Sequence, residues 1–151
     1  MININDNLVP FEGLSTIMLY QSDKIIKKEL SDSRIIYERE IWDNEECTVP
    51  MPWEILHINN NSINLFFANS KLFKIVVENE YAGKLPNGIC LGMTMQDAVS
   101  LDDQLTYDEW NEEYGSPLGY WVEDDPETSR IISISIFIRE IDDDDFEEYK
   151  W

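Results

Sequence analysis

The sequence predicts an α+β fold of mainly antiparallel sheet, a three-stranded meander plus a C-terminal hairpin, with one or two short helices packed on it. Three observations predict this class. Three apolar runs separated by Asn- and Ser-rich turns lie within residues 53–78, isoleucines alternate through residues 131–138, and a helix-start pattern begins at Thr94. The 151 residues, of which 43% are apolar, fit a single domain spanning residues 1–151 with a sizeable core.

The meander is predicted from the runs WEILHIN, INLFFAN and LFKIVVE. Turns at residues 60–62 and 69–71 separate the runs, because Asn tolerates left-handed backbone and both Asn and Ser bond nearby main chain. Side chains of the first run alternate in direction, so at least one face of the sheet is expected to be covered. The same pattern makes His57, the single histidine of the chain, a strand side chain rather than a catalytic base.

Two short helices are predicted after the meander. A loop containing Gly and Pro at residues 81–92 leads to Thr94, a favourable N-cap followed by an apolar stripe that packs a helix on the sheet. Residues 102–114 have a mixed pattern in which Thr106 caps a second short helix and Glu109 completes a capping box.

The C-terminal hairpin is predicted from strands at residues 118–123 and 130–139, joined by the turn 124–129, where Pro126 restricts the backbone. Alternation along the second strand predicts that one of its faces enters the core. The residues of that face are Ile132, Ile134, Ile136 and Ile138.

The two ends of the chain are less regular. Residues 13–22 and 33–42 are predicted to be strands, with one or two helical turns at residues 23–30 between them. Near the C-terminus, large rings stand among acids and are expected to dock either on this protein or on a partner. These rings are Phe146, Tyr149 and Trp151.

Residue types that carry out common enzyme chemistry are not grouped in this sequence. Cys47 and Cys90 are isolated thiols, expected to be reduced, without the spacing of a zinc or redox motif. The acidic run 142–145 lacks the spacing of a calcium loop and is expected to be a solvated tail. A Gly-rich phosphate loop and a nucleophile elbow are also missing. The sequence therefore predicts no catalytic residue, no metal and no cofactor.

The charge distribution indicates the class of partner. Residues 91–151 carry 18 carboxylates against three cations, a net charge of −15 out of −20 for the chain. Such a field accelerates encounter with a basic protein and repels nucleic acid and anionic lipid. The start, MININDNLVPFEG, does not have the pattern of a secretory signal, and no stretch is long and apolar enough to span a membrane. We expect a cytoplasmic protein that is a monomer before it binds its partner.

Residues 63–140 resemble small acidic bacterial immunity proteins that accompany polymorphic toxins, including those of contact-dependent growth inhibition. The resemblance rests on the segments KLFKIVVENEYAGKLPNGICLGMTMQDAV and GSPLGYWVEDDPETSRIISISIFI, a strand, a Gly-containing loop, a helix and a hairpin. It implies a protein that binds its own toxin and blocks the active site or substrate path, with no catalytic residues to carry over. An acidic domain independently suits the inhibition of a basic, nuclease-like toxin.

Aromatic residues beside acids are the candidate contacts with such a partner, because rings in desolvated pockets dominate many interfaces. The candidates are Asp108, Glu109, Trp110, Glu112, Glu113, Tyr114, Tyr120, Trp121, Glu123, Asp124 and Asp125. Two other functions remain open. One is an acidic interaction module or adaptor without a toxin partner, and the other is a hydrolase built on the carboxylates, with or without a metal.

Overall fold

The computed structural model of the protein describes residues 1–42 and 52–151, which form two antiparallel sheets and two α-helices. The large sheet has eight strands, in chain order β4 (Tyr37–Trp42), β5 (Trp53–Ile58), β6 (Ile63–Ala68), β7 (Lys71–Glu78), β8 (Thr106–Asp108), β9 (Glu113–Ser116), β10 (Tyr120–Asp124) and β11 (Ile131–Phe137). The small sheet contains β1 (Leu8–Val9), β2 (Gly13–Leu14) and β3 (Ile17–Met18). The helices are α1 (Asp23–Asp32) and α2 (Met95–Leu101). The predicted α+β class, mainly antiparallel, is confirmed.

Strand order in the large sheet is β4-β5-β6-β7-β11-β10-β9-β8. The predicted meander is β5, β6 and β7, and the predicted hairpin is β10 and β11, which joins the meander because β11 pairs with β7. The turns between the meander strands use left-handed backbone, with φ of 55° at Asn60 and 51° at Asn69. His57 lies in β5, as expected for a strand side chain.

The two faces of the large sheet have different surroundings. One face, called the core face, carries buried residues such as Leu56, Ile75 and Val122, and α1 and α2 pack there through Ile26 and Ala98. The opposite face, called the open face, carries no α-helix among the residues that the structure describes. Side chains on the open face include His57, Asn64, Lys74, Glu113, Trp121 and Glu123.

The prediction of a second helix within residues 102–114 is wrong, because this segment forms the hairpin of β8 and β9. Asp108 accepts a hydrogen bond from the backbone N–H of Trp110 at 2.9 Å and thereby closes a turn. The rings of Tyr107 and Tyr114 then pair across the two strands, with centroids 5.0 Å apart. Pairing of β9 with β10 outweighs the local capping pattern.

One isoleucine of the predicted core face also needs correction. Ile134, Ile136 and Ile138 are buried, but Ile132 is 46% exposed. The register of β10 and β11 shifts between Glu123 and Asp124, so Ile132 is the extra residue of a β-bulge and has no opposite residue.

The N-terminal third differs from the sequence pattern in length. The predicted strand at residues 13–22 is reduced to the two short strands β2 and β3, whereas α1 is longer than the predicted one or two turns. Ser22 begins α1 by accepting a hydrogen bond from the Lys24 N–H at 3.2 Å. Cys90 is a free thiol, and Cys47 lies outside the described residues. No helix in the described part of the chain is long and apolar enough to cross a membrane.

The C-terminal aromatic residues dock on the protein itself, the first of the two expected possibilities. Phe146 contacts Phe73 with ring centroids 5.4 Å apart and stacks on Trp151 at 5.3 Å. Trp53 donates a hydrogen bond from its indole Nε1 to the Tyr149 hydroxyl oxygen at 3.4 Å. The C-terminal segment therefore covers one end of the open face.

Candidate partner-binding site

The most exposed large ring of the described chain, that of Trp110, lies at the tip of the β8–β9 hairpin and is 94% exposed. The tip is held in one shape by Asp108, whose Oδ1 accepts from the Trp110 N–H and whose Oδ2 accepts from Asn111 Nδ2, each at 2.9 Å. These hydrogen bonds lower the pKa of Asp108. The chain leaves the tip through Glu112 in the left-handed region, with φ of 56°.

The acidic segments that the sequence singles out lie side by side. Because β9 and β10 are antiparallel, with Tyr114 opposite Val122, the turn before β9 and the turn after β10 are at the same end of the sheet. We call this the acidic end. Its carboxylates are those of Asp108, Glu109, Glu112, Glu113, Glu123, Asp124, Asp125 and Glu127.

The carboxylates of the acidic end shift the pKa values of nearby side chains. Burial, followed by the charges of Glu112 and Asp124, raises the pKa of Tyr107, so carboxylates of both turns act on one ring. Burial also raises the pKa of Glu113, and the charge of Glu123 adds to this. A cation brought by a partner would relieve this repulsion.

The aromatic candidates other than Trp110 are partly or wholly covered. Tyr114 lies on the core face, packed against Tyr107. Trp121 lies on the open face, 4.3 Å from the ring of Phe137. Tyr120 is only 1% exposed, so it offers no surface to a partner in this conformation and belongs to the core.

Sequence reasoning missed Asp102, a buried carboxylate that ties β9 and β10 to α2 at the end of these strands opposite the acidic end. Its Oδ2 accepts hydrogen bonds from the hydroxyls of Ser116 and Tyr120, both at 2.6 Å, and its Oδ1 accepts from the Gln104 N–H at 3.0 Å. Burial acts to raise the pKa of Asp102, but the hydrogen bonds outweigh it and the pKa is lowered. Its position in the sequence, among other acids, gives no signal of this role.

Lys74, on the open face, was also missed. Its Nζ lies 5.2 Å from the ring centroid of Phe66 and 5.4 Å from that of Trp121. Burial lowers its pKa, and the negative charge of Glu113 opposes this. A shallow groove of about 440 Å³ opens at the acidic end. Residues that line the groove include Asp108, Glu109, Glu113, Trp121 and Asp142.

The carboxylates considered for catalysis or metal binding are exposed and dispersed. Residues 142–145 are exposed to solvent, as expected for a solvated acidic segment. Within residues 1–42 and 52–151, no three His, Cys, Asp or Glu side chains come together as a metal ion requires. His57 is held by Asn64 and Glu40, with its ring nitrogens 2.6 and 2.7 Å from their oxygens.

No protein-family model matches the chain, and no curated protein matches it. Among solved structures, its fold is similar to that of a cysteine-rich secretory protein from Staphylococcus aureus subsp. aureus Mu50. The two chains are 9% identical with a TM-score of 0.52, and the match covers 92% of this chain and 51% of the other. At this identity the likeness shows the fold alone, and the chain corresponds to about half the length of that protein.

Proposed function

We propose that this protein is an immunity protein that binds a basic toxin domain, and that it makes contact through its acidic end with Trp110 as the anchor. The observation that carries the proposal is the 94% exposure of Trp110 on a tip whose shape is fixed by Asp108. Burying a large apolar side chain contributes about 1.5–3 kcal/mol, which a partner with a matching pocket would recover. Trp is also among the residues that most often dominate binding energy.

The fixed shape of the tip supports tight binding. Ordering a loop and its side chains on association costs free energy, and that cost falls when the free protein already has the bound shape. Here the two oxygens of Asp108 hold the backbone of Trp110 and the side chain of Asn111 before any partner arrives.

The surrounding charge supports a basic partner. Carboxylates of Glu109, Glu112 and Glu123 flank the tip, and the net charge of the chain is −20. A nuclease-like toxin presents Lys and Arg side chains where it holds phosphate, so the acidic end would steer association and occupy that site. The same surface would serve an acidic adaptor, and the two functions differ in whether the partner is toxic. The proposal places the protein in the cytoplasm, where an immunity protein meets a toxin that has entered or is made there.

The experiment has two stages. The purified protein is used as bait in a lysate of its native host at low and moderate salt, and each bound protein is then expressed in a bacterium that lacks both genes. We expect one basic protein to stop growth and co-expression of this chain to restore it. Trp110→Ala should weaken binding by about thirtyfold or more, as for a hot spot worth at least about 2 kcal/mol, and should abolish the rescue.

The matched control is Ile25→Ala, which shortens an exposed apolar side chain on α1 without touching the acidic end. It should bind and protect like the unchanged protein. A specific partner without toxicity would overturn the immunity proposal in favour of the adaptor. Equal binding by Trp110→Ala would overturn the assignment of the site.

A further inference from the structure

Strand β4 forms an edge of the large sheet that has no bulge, Lys or Pro to hinder pairing. It has six residues, five of them exposed, and no strand lies on its outer side within the described residues. Natural edge strands are commonly short, bulged, or guarded by Pro and by charged side chains, Lys above all. β4 contains neither Lys nor Pro, and its register with β5 runs without a bulge from Tyr37 opposite Ile58 to Trp42 opposite Trp53. The other edge, β8, has only three residues.

Two charged side chains of β4 lean back over the sheet and leave the outer backbone clear. Glu40 reaches the Nε2 atom of His57 on β5 at 2.7 Å and also accepts from the indole of Trp42 at 2.9 Å. Arg39 forms an ion pair with Glu54 of β5 on the opposite face. Since both point toward β5, neither shields the unpaired N–H and C=O groups of the edge.

Hollows flank β4 on both faces, as an added strand requires for its alternating side chains. On the open face, a hollow of about 440 Å³ lies next to Glu38 and His57. Near the other end of the strand, a hollow of about 280 Å³ lies next to Ile41 and Glu54. The exposed side chains of Ile36 and Trp42 mark the two ends of this surface.

A second copy of the chain does not fit this edge. Antiparallel pairing of β4 with itself must place residues of the same face opposite each other, so in the two registers with the greatest overlap either Arg39 or Glu40 meets its own copy. The first register also sets Glu38 opposite Glu40, and like charges directly opposite destabilise a pair. The chain charge of −20 adds repulsion between copies.

We propose that β4 accepts an extended segment of a basic partner as an added strand. The segment alternates Lys or Arg, facing Glu38 and Glu40 on the open face, with apolar side chains, facing Tyr37 and Ile41 on the core face. Main-chain hydrogen bonds hold the segment, and the two hollows select its side chains. The inference goes beyond the proposed function, because it rests on the sheet edge opposite to the one that carries Trp110.

The test uses a capped hexapeptide of alternating lysine and valine as the probe, with residue-level hydrogen exchange of the full chain. We expect exchange to slow by about tenfold or more at the outward amides of residues 37–42 and to stay unchanged in β8. The same peptide with glutamate in place of lysine should give no protection. Two further peptides carry methyl groups on the backbone nitrogens of either the lysines or the valines, so the side chains stay the same while main-chain donors are lost. One of these two peptides should give no protection of β4.

A charge variant tests the protein side. Glu38→Lys should weaken peptide binding several-fold, and Asp103→Lys, the same change of charge at an exposed position outside β4 and the acidic end, should not. Protection elsewhere, protection by the glutamate peptide, or protection that survives both methylations would overturn the proposal. Protection of residues 37–42 that grows with protein concentration without peptide would also overturn it, since a second copy would then be the occupant. Trp110→Ala should leave peptide binding unchanged, so this inference and the proposed function fail separately.

Discussion

The two edges of the large sheet are anchored and exposed in opposite ways. Near the β8 edge, β9 and β10 are tied to α2 through the buried carboxylate of Asp102, and the hairpin ends in a stiff acidic tip that presents Trp110. At the β4 edge, the ties are the contacts of Glu54 and His57, closer to solvent, and no strand within residues 1–42 and 52–151 pairs with its outer backbone. The first edge is suited to recognition by side chains and the second to recognition by main chain.

The difference in anchoring has an energetic consequence. A buried carboxylate that satisfies several donors leaves them unpaired when it is removed, and each unpaired buried group costs about 1–3 kcal/mol. Ion pairs near the surface contribute less, because water and salt screen them and long side chains lose entropy. Substitution of Asp102 should therefore lower the free energy of unfolding more than substitution of Glu54 does.

The largest effect is expected from Asp102→Ala. Removal of the carboxylate leaves the hydroxyls of Ser116 and Tyr120 without an acceptor. We therefore expect the free energy of unfolding, measured by urea denaturation, to fall by about 2–4 kcal/mol. Asp103→Ala, an exposed neighbour, is the control and should change stability by less than about 0.5 kcal/mol. If both variants unfold at the same urea concentration, Asp102 is not the anchor.

A smaller effect is expected from Glu54→Ala at the other edge. Glu54 pairs with Lys27 of α1 at 2.8 Å and with Arg39 of β4, and its loss should lower the free energy of unfolding by about 1–2 kcal/mol. Hydrogen exchange should speed up in β4 more than in β9. Glu38→Ala, on the same edge but without an ion pair in the described structure, is the comparison, and equal loss in both variants would contradict the anchoring role.

The smallest effect is the pH dependence that His57 gives to the β4 edge. Burial acts to lower the pKa of His57, but its hydrogen bonds with Asn64 and Glu40 outweigh burial and the pKa is raised above 6.5. The folded state therefore holds the proton more tightly than the unfolded chain. This contribution to stability is full below about pH 6.5 and disappears as pH rises through the folded-state pKa.

The measurement is the free energy of unfolding at a series of pH values for the unchanged protein and for His57→Gln, which does not titrate. As pH rises from about 6.5 through the folded-state pKa of His57, only the unchanged protein should lose stability. Hydrogen exchange in β4 of that protein should also become faster, by more than the intrinsic effect of pH on exchange. Parallel profiles for the two proteins would show that the His57 contact does not tie down the edge.

Local signals account for the elements that the sequence predicts correctly. Asn60 and Asn69 adopt left-handed backbone in the turns of the meander, and Thr94 begins α2 by accepting from the Asp97 N–H at 3.2 Å. The prediction of a helix within residues 102–114 is wrong because one local pattern fits two structures. Thr106 and Glu109 have the spacing of a capping box, but Asp108 bonds the backbone ahead of it and makes a turn.

The sequence likewise predicts part of the candidate site and misses the rest. The sequence places acids beside Trp110, but it does not tell that this ring is exposed while Tyr120, which also precedes an acidic segment, is buried. Tyr120 points to the core face because the register of β10 sets it opposite the buried Ile136, and its hydroxyl reaches Asp102. Such contacts join residues distant in sequence, so no local pattern encodes them.

The sequence by itself determined the antiparallel class, the meander, α2, the C-terminal hairpin and the acidic charge of the second half, because each depends on residue type and short-range spacing. Only the tertiary structure decided which strands are edges, that β11 joins the two halves of the sheet, and that Trp110 faces solvent. Those outcomes depend on which strands pair over long distances, and pairing is chosen by burial of the whole core face rather than by any one segment.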